Sequence, residues 1–169
     1  STGDDVAASA TFTFDGSNHN SVNNAAITLT SSAGVGILYK IKNDGSANAS
    51  SQEFNSGGSA NATALAFESL VESSNGHNGA IAVTVEGGKV TLTQTIAGDE
   101  GNTDITTNNN FNNICSVNPP ATFTDGADFT AWERPGGHYL DETAEDAEYT
   151  QYFETGLEDL EVDITELVE

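Results

Sequence analysis

Alternation of apolar and polar residues predicts β-strands in the first third of the chain. The alternating runs cover residues 10–14 (ATFTF), 26–30 (AITLT) and 36–41 (GILYKI), and residues 52–55 form a short edge strand. Turn residues follow the first and third of these runs, as Asp15-Gly16 and Asn43-Asp44-Gly45. The pattern is typical of half-buried strands in an antiparallel sheet.

The period then changes to that of an amphipathic helix. The apolar positions are Leu65, Ala66, Leu70 and Val71, and the acidic residues on the opposite side are Glu68 and Glu72. We expect Ser59 or Asn61 to cap the start of this helix, and Asn75-Gly76 to end it with a left-handed residue. A helix of about three turns does not persist alone, so it is expected to lie on a sheet.

Alternation returns after the helix and predicts a β-hairpin. Residues 80–85 (AIAVTV) and 89–95 (KVTLTQT) flank the turn Glu86-Gly87-Gly88. Ile81, Val83 and Val85 share one face, and Val90, Leu92 and Gln94 share a face of the partner strand. Residues 97–102 form a loop, and further strands are expected at 103–106 and 111–117, the latter ending before Pro119-Pro120.

These elements predict an α+β fold, mainly antiparallel β-sheet with one packed amphipathic helix, in a module covering residues 1–125. ATFTFDG from Ala10 and ATFTDG from Ala121 are near copies that bracket this module. Two such strands could pair or occupy equivalent edges and so bring the ends of the module together; chance similarity of two Thr-rich strands is the alternative.

Residues 126–169 differ in composition and are expected to form an acidic C-terminal arm, helical or extended. More than half of the acidic residues of the chain lie there, with Arg134 as its basic residue. Leu157, Leu160, Ile164 and Leu167 recur at heptad-like spacing, with Phe153 before them. Because acidic neighbours repel one another, this apolar stripe needs a partner: the module itself, symmetry mates or a different protein.

Charge narrows the choice of partners. With 26 acidic and 4 basic residues the formal net charge is −22. DNA and anionic membranes repel such a chain, since nucleic-acid affinity comes chiefly from Lys and Arg. The sequence therefore predicts no nucleic-acid and no membrane partner, and favours docking onto a basic protein surface. It also contains no apolar run long enough for a membrane-spanning helix.

Catalytic and metal-binding patterns are weak. Cys115 is alone, and a small apolar residue near a strand is the favoured interpretation. His19, His77 and His138 are far apart, and His77 is expected to shape a loop or face solvent. The loop at residues 99–104 offers oxygen ligands for calcium but lacks EF-hand spacing, so a solvated loop is favoured. We predict no enzymatic activity, no metal site and no cofactor.

The chain resembles a small module found in virion structural proteins of tailed bacteriophages, marine and cyanophage types especially. The similarity covers roughly residues 10–130 and is strongest over residues 70–106. It is carried by Asn75-Gly76-His77, by the hairpin strands AIAVTV and VTLTQ, and by Gly98 with Gly101-Asn102-Thr103.

The resemblance implies a structural role without catalytic residues. It points to a capsid decoration (cement) protein on the outer capsid surface, bound to the major capsid protein or another virion protein as a homo-oligomer, a trimer. Phe153, Leu157, Leu160, Ile164 and Leu167 are the expected contact residues. The alternatives are a tail or head fibre module that binds host glycans, and a bacterial surface adhesin domain.

Overall fold

The computed structural model describes residues 5–16 and 25–128, apart from the side chain of Asn109. These residues belong to one unit that ends at Phe129. The strands are β1 Ser9–Phe14, β2 Ala26–Thr30, β3 Gly36–Lys42, β4 Glu53–Asn55, β5 Ile81–Glu86, β6 Lys89–Gln94, β7 Ile105–Thr107 and β8 Cys115–Val117. The helices are α1 Ala60–Glu72 and α2 Asn109–Asn112, and short 3₁₀ turns lie at Ala49–Ser51 and Asp99–Gly101.

The strands form two four-stranded sheets. Sheet 1 has the order β5-β6-β1-β8 and sheet 2 the order β4-β3-β2-β7. All pairings are antiparallel except that of β3 with β4, which is parallel. The predicted fold class, α+β with mainly antiparallel sheet and one main helix, is confirmed.

Both sheets bury one face in a single core. In sheet 1 the buried positions alternate with threonines, as in β1, where Ala10, Phe12 and Phe14 point inward. The outward row Thr11–Thr91–Thr84 crosses three adjacent strands in register. Strand alternation therefore gives sheet 1 an apolar inner face and a hydroxyl-rich outer face, with Glu86 and Lys89 paired beside the hairpin turn.

Helix α1 contributes its buried side to the same core. The buried residues are Thr63, Ala64, Phe67, Leu70 and Val71. Phe67 is central, with its ring centroid 5.8 Å from that of Phe12 in sheet 1 and 5.3 Å from that of Phe54 in sheet 2. The predicted helical face was rotated from the real one: Leu65 points outward and is 46% exposed, because Phe67 takes the central position.

The N-terminus of α1 agrees with the prediction, and its C-terminus does not. The Ser59 hydroxyl accepts a hydrogen bond from the Ala62 amide at 3.2 Å, as expected of an N-cap. At the other end the prediction was wrong, since α1 ends at Glu72 with Ser73 in extended conformation. Gly76 is required for close packing instead: a Cβ there would lie 2.2 Å from the Leu70 carbonyl oxygen.

The predicted hairpin is confirmed, with Gly87 and Gly88 at positive φ between β5 and β6. The strand predicted at residues 111–117 was only partly right. Its first residues continue α2, and only Cys115–Val117 form a strand, which pairs with β1. Asn108 explains the helical turn, because its side-chain oxygen accepts a hydrogen bond from the Phe111 amide at 3.0 Å.

The two flanks of the described unit pair with one another. Ser9 and Thr124 exchange amide-to-carbonyl hydrogen bonds of 2.8 and 3.0 Å, and Val6 and Ala127 do so at 2.8 and 3.1 Å. The segment containing the second near copy, ATFTDG, thus lies beside the start of β1. Ordered pairing continues past residue 125, where the module was predicted to end.

Gln94 joins the two sheets. Its side chain is fully buried at the end of β6. Its oxygen accepts a hydrogen bond from the Ser32 amide at 3.0 Å, and its nitrogen donates to the Thr30 carbonyl at 2.9 Å. Both polar atoms of the buried Gln94 side chain therefore form hydrogen bonds, and these bonds link β6 of sheet 1 to β2 of sheet 2 and the turn that follows it.

Candidate functional site

The predicted contact residues Phe153, Leu157, Leu160, Ile164 and Leu167 lie outside the described residues, as do His19 and His138. The candidate site is therefore sought in the module itself.

The outer face of sheet 2 differs in charge from the rest of the described surface. Lys40 and Lys42 point outward from β3, and the described part of the chain contains one further lysine, Lys89. Lys42 forms an ion pair with Glu53 on β4, with 3.4 Å between Nζ and Oε1. Because Glu53 offsets the charge of Lys42, Lys40 supplies the net positive charge of this lysine face.

One edge of β3 is open beside this face. The hydrogen bonds Ser31 N–H to Val35 C=O (2.9 Å) and Ile41 N–H to Ala25 C=O (2.9 Å) fix which residues of β3 face β2. By that alternation, the main-chain groups of Gly36 and Leu38 face away from β2. Strand β4 pairs only with residues 40–42, so no described strand pairs with Gly36 or Leu38 on this side.

A depression of about 320 Å³ lies at this open edge. Its walls are formed by Gly36, Ile37, Leu38, Lys40, Ser51 and Gln52. It therefore combines unpaired main-chain donors and acceptors, the half-buried side chain of Ile37 and a lysine. These are the chemical groups that bind an extended peptide segment.

His77 is held in a buried hydrogen-bond relay behind β3. Its Nδ1 lies 2.6 Å from the Tyr39 hydroxyl and its Nε2 lies 3.2 Å from the Val35 carbonyl oxygen. Because a carbonyl only accepts, Nε2 carries the proton, and Tyr39 donates to Nδ1. Burial lowers the pKa of His77 and raises the pKa of Tyr39, so both side chains are neutral.

The relay fixes the loop after α1 to sheet 2. Of the two roles predicted for His77, shaping a loop is the one found, since its side chain is 6% exposed and does not face solvent. The Gln52 side chain adds a second link by donating to the Asn75 carbonyl at 3.2 Å. His77 therefore has a structural role, since both of its ring nitrogens form hydrogen bonds to β3 of sheet 2 or to the residue preceding that strand.

The loop that could bind calcium gains one carboxylate that the sequence interpretation had not included. Asp99, Glu100 and Asp128 are exposed and can place one oxygen each within 4.8 Å of one another. Asp128 Oδ1 already accepts a hydrogen bond from the Asp99 amide at 3.1 Å. Asp104 instead pairs with Thr122 at the edge of sheet 2. Exposed acidic groups of this kind are expected in a chain so rich in carboxylates.

Asn102, in the loop that carries the resemblance, has a clear structural role. Its side-chain nitrogen donates to the Gly126 carbonyl at 2.8 Å, and its oxygen accepts from the Gly126 amide at 2.9 Å. This reciprocal amide pair ties the C-terminal flank to the loop. The side chain thereby acts as a substitute strand partner.

Cys115 lies half-buried in β8. Burial, with a smaller contribution from the nearby Asp15 charge, raises the pKa of its thiol to about 12. The thiol is therefore protonated at neutral pH and is a poor nucleophile. This agrees with the prediction of a small apolar residue near a strand.

Sequence reasoning missed the lysine face and its open edge. The alternation in GILYKIK does place Leu38, Lys40 and Lys42 on one side, which was a usable signal for the face. The open edge depends on where β4 begins to pair, and this register has no local sequence signal.

Comparison of the chain with protein-family models, with curated proteins and with solved structures gave no match. Among the described residues, no helix has the length and apolar content needed to cross a lipid bilayer.

Proposed function

We propose that this chain is a structural protein of a bacteriophage virion, and specifically a decoration protein on the outer surface of the capsid. In this role the β-rich module is displayed, and the acidic C-terminal arm with Phe153, Leu157, Leu160, Ile164 and Leu167 supplies the apolar contacts to the shell or to a symmetry mate. The proposal extends the sequence resemblance to phage virion modules.

The distribution of exposed apolar side chains carries the proposal. In the described module the large ones are dispersed over different elements: Val6, Val35, Leu38, Leu65, Ile96 and Val117. Single exposed apolar residues are normal on a protein surface and do not form a docking patch. Anchoring to a larger assembly therefore falls to the apolar stripe of the arm.

Charge and symmetry support the same role. A decoration protein with a net charge of −22 favours a partner with a basic surface, such as the major capsid protein. Decoration as a trimer multiplies contacts that are individually modest. The described module also holds Cys115 as a protonated thiol and engages both ring nitrogens of His77 in hydrogen bonds, which supports structural roles for these two groups.

The test is incorporation into particles. The double variant Leu160→Asp, Ile164→Asp is expected to abolish incorporation, because it places charges within the apolar stripe. Leu65→Asp, an exposed leucine on α1, is the matched control and should incorporate normally. Circular dichroism and thermal unfolding of purified proteins verify that both variants fold.

Position on the particle separates decoration from the fibre alternative. Whole-particle reconstruction is expected to place the chain over capsid subunits at symmetric positions. Density confined to a tail or fibre tip, together with binding on a glycan array, would replace the decoration role by host attachment. Unchanged incorporation of the double variant would remove the anchoring role of the stripe.

A further inference from the structure

The open edge of β3 is suited to receive an additional strand. The N–H and C=O groups of Gly36 and Leu38 face away from β2, and Leu38 is 44% exposed. An edge with unpaired main-chain groups is a template for strand addition unless something covers it. The open edge of β3 can therefore accept a strand of suitable composition.

The depression sets two requirements on the occupant. Ile37, whose side chain points to the core side of sheet 2, is only partly covered, so that side favours apolar side chains. Lys40 points to the outer side, so that side favours carboxylates. The occupant should therefore alternate apolar and acidic residues in an extended segment.

The C-terminal part of the chain contains such a segment. Residues 160–165 read LEVDIT, with Leu160, Val162 and Ile164 alternating with Glu161, Asp163 and Thr165. Val, Ile and Thr are residues that favour strands. The segment follows the last described residue by about thirty residues, a chain length that can span up to about 100 Å and so can reach a neighbouring molecule.

We propose that residues 160–165 of one copy add as a strand to the open edge of β3 at Gly36–Leu38 in a second copy. The apolar side chains then lie over Ile37, and the carboxylates lie beside Lys40. This inference rests on the proposed homo-oligomeric decoration role and specifies how copies join one another.

Charge complementarity favours this face for the contact, and closed symmetry favours a second copy as the source of the added strand. Two copies that each carry a charge of −22 repel one another, and this repulsion is reduced where an acidic segment lies beside Lys40. Each copy offers this β3 edge and one such segment, so exchange around a ring fills the β3 edge of every copy and closes the assembly. Several weak strand additions then act together.

The experiment measures self-association of the purified full chain by sedimentation over a wide range of concentration. Leu38→Pro removes the outward N–H without removing a hydrogen bond to β2, so it should weaken association about tenfold or more. Leu38→Thr retains the N–H and is the matched control, with association expected to persist. Equal association of the two variants would overturn the proposal.

Substitutions in the segment distinguish an added strand from a helical stripe. Val162→Asp should weaken association about tenfold or more, whereas Leu167→Asp, which alters the heptad-like stripe outside residues 160–165, should have the smaller effect. The reverse result would overturn strand addition and favour helical contacts.

Charge exchange tests the register of the contact. Lys40→Glu should weaken association, and adding Asp163→Lys should restore it at least in part, which a general loss of folding would not do. Lys89→Glu, with the same change of charge on sheet 1, is the control and should have little effect.

Hydrogen exchange provides a measurement that needs no substitution. The Leu38 amide is expected to exchange quickly in dilute protein and to become protected as concentration rises. Protection that is independent of concentration, or a wild-type chain that is monomeric throughout, would overturn exchange between copies. A monomer that still incorporates into capsids would overturn this inference while leaving the proposed decoration role intact.

Discussion

The two sheets manage their long edges in different ways. In sheet 1 the outward N–H of Val83 on β5 is covered by α1, whose Glu72 carboxylate accepts its hydrogen bond at 2.9 Å. In sheet 2 the corresponding edge of β3 at Gly36–Leu38 is left open, because β4 pairs only further along the strand. The β5 edge thus has a side-chain acceptor at Val83, whereas the β3 edge at Gly36–Leu38 has no described partner.

The difference indicates which side of the molecule is available for main-chain pairing. Proteins commonly block exposed edges with charged residues, short strands or covering segments. Here the outer edge of β7 is also covered, since Ile105 N–H donates to the Ala121 carbonyl at 2.8 Å. The open stretch of β3 differs from these covered positions in that it lies beside the lysine face and borders a depression.

The largest expected effect of a substitution lies where the two sheets share a side chain. Phe67→Ala should lower the free energy of unfolding by about 3–5 kcal/mol, because the ring contacts aromatic side chains of both sheets in a closed core. Urea denaturation measures the change. Leu65→Ala on the exposed side of α1 is the control, with an expected change within about 0.5 kcal/mol. Similar losses for both variants would contradict the assignment of the buried helix face.

A smaller loss is expected where a polar side chain links the sheets. Gln94→Leu should lower the free energy of unfolding by about 1–3 kcal/mol, because the Ser32 N–H loses its partner. The Thr30 C=O also loses one donor and keeps the Thr103 hydroxyl. Thr93→Val, on the outer face of the same strand, is the control and should change it little. Chemical denaturation of the two variants makes the comparison; a stabilised Gln94→Leu variant would show that the cross-link is dispensable.

Removing the Glu72 acceptor of the Val83 N–H should make the edge of β5 resemble the open edge of β3. Glu72→Ala is expected to lower the free energy of unfolding by about 0.5–1.5 kcal/mol and to speed exchange of the Val83 amide. Glu68→Ala carries the same loss of charge on α1 and is the control. Unaltered exchange at Val83 in the first variant would show that the carboxylate does not cover the edge in solution.

The smallest effect is expected from titration of His77. Burial lowers its pKa in the folded state, so the unfolded state binds a proton more readily. Stability from the neutral imidazole is present above the unfolded pKa of about 6.5 and is lost as pH falls below it. The midpoint temperature of thermal unfolding should therefore fall more steeply between pH 7.5 and pH 5.5 for the wild type than for His77→Gln.

The measurement compares the pH dependence of the unfolding temperature of the wild type with that of His77→Gln. Lowering the pH also reduces repulsion among the many carboxylates, which acts in the opposite direction and equally on both proteins. Parallel profiles would mean that His77 titrates in the folded state as it does in the unfolded chain.

Local sequence patterns predicted most strands but not their arrangement. The hairpin β5–β6 follows from alternation and the Gly87-Gly88 turn, which depend only on neighbouring residues. The helix was located, yet its buried side was misjudged because Leu65 was preferred to Phe67. A helical wheel with several small apolar residues permits more than one face, and tertiary packing selects between them.

Long-range pairing was the other part that sequence could not provide. The parallel pairing of β3 with β4 and the open edge beside it depend on register over the connection through Ala49–Ser51. Phe111 and Asn112 were predicted as the start of a strand, but they lie in α2, where the Phe111 amide donates a hydrogen bond to the Asn108 side chain. The near copies at Ala10 and Ala121 indicated that the flanks could meet, and Ser9 with Thr124 shows one such pair.

The adjacent flanks determine how the module would respond to mechanical load. Val6 and Ala127 pair antiparallel, so a force that pulls the two flanks apart acts across their hydrogen bonds one at a time. The chain therefore peels from Val6–Ala127 towards Ser9–Thr124 before the load reaches the core. Under such a load this stretch would yield first and increase the distance between the flanks while the two sheets stay folded.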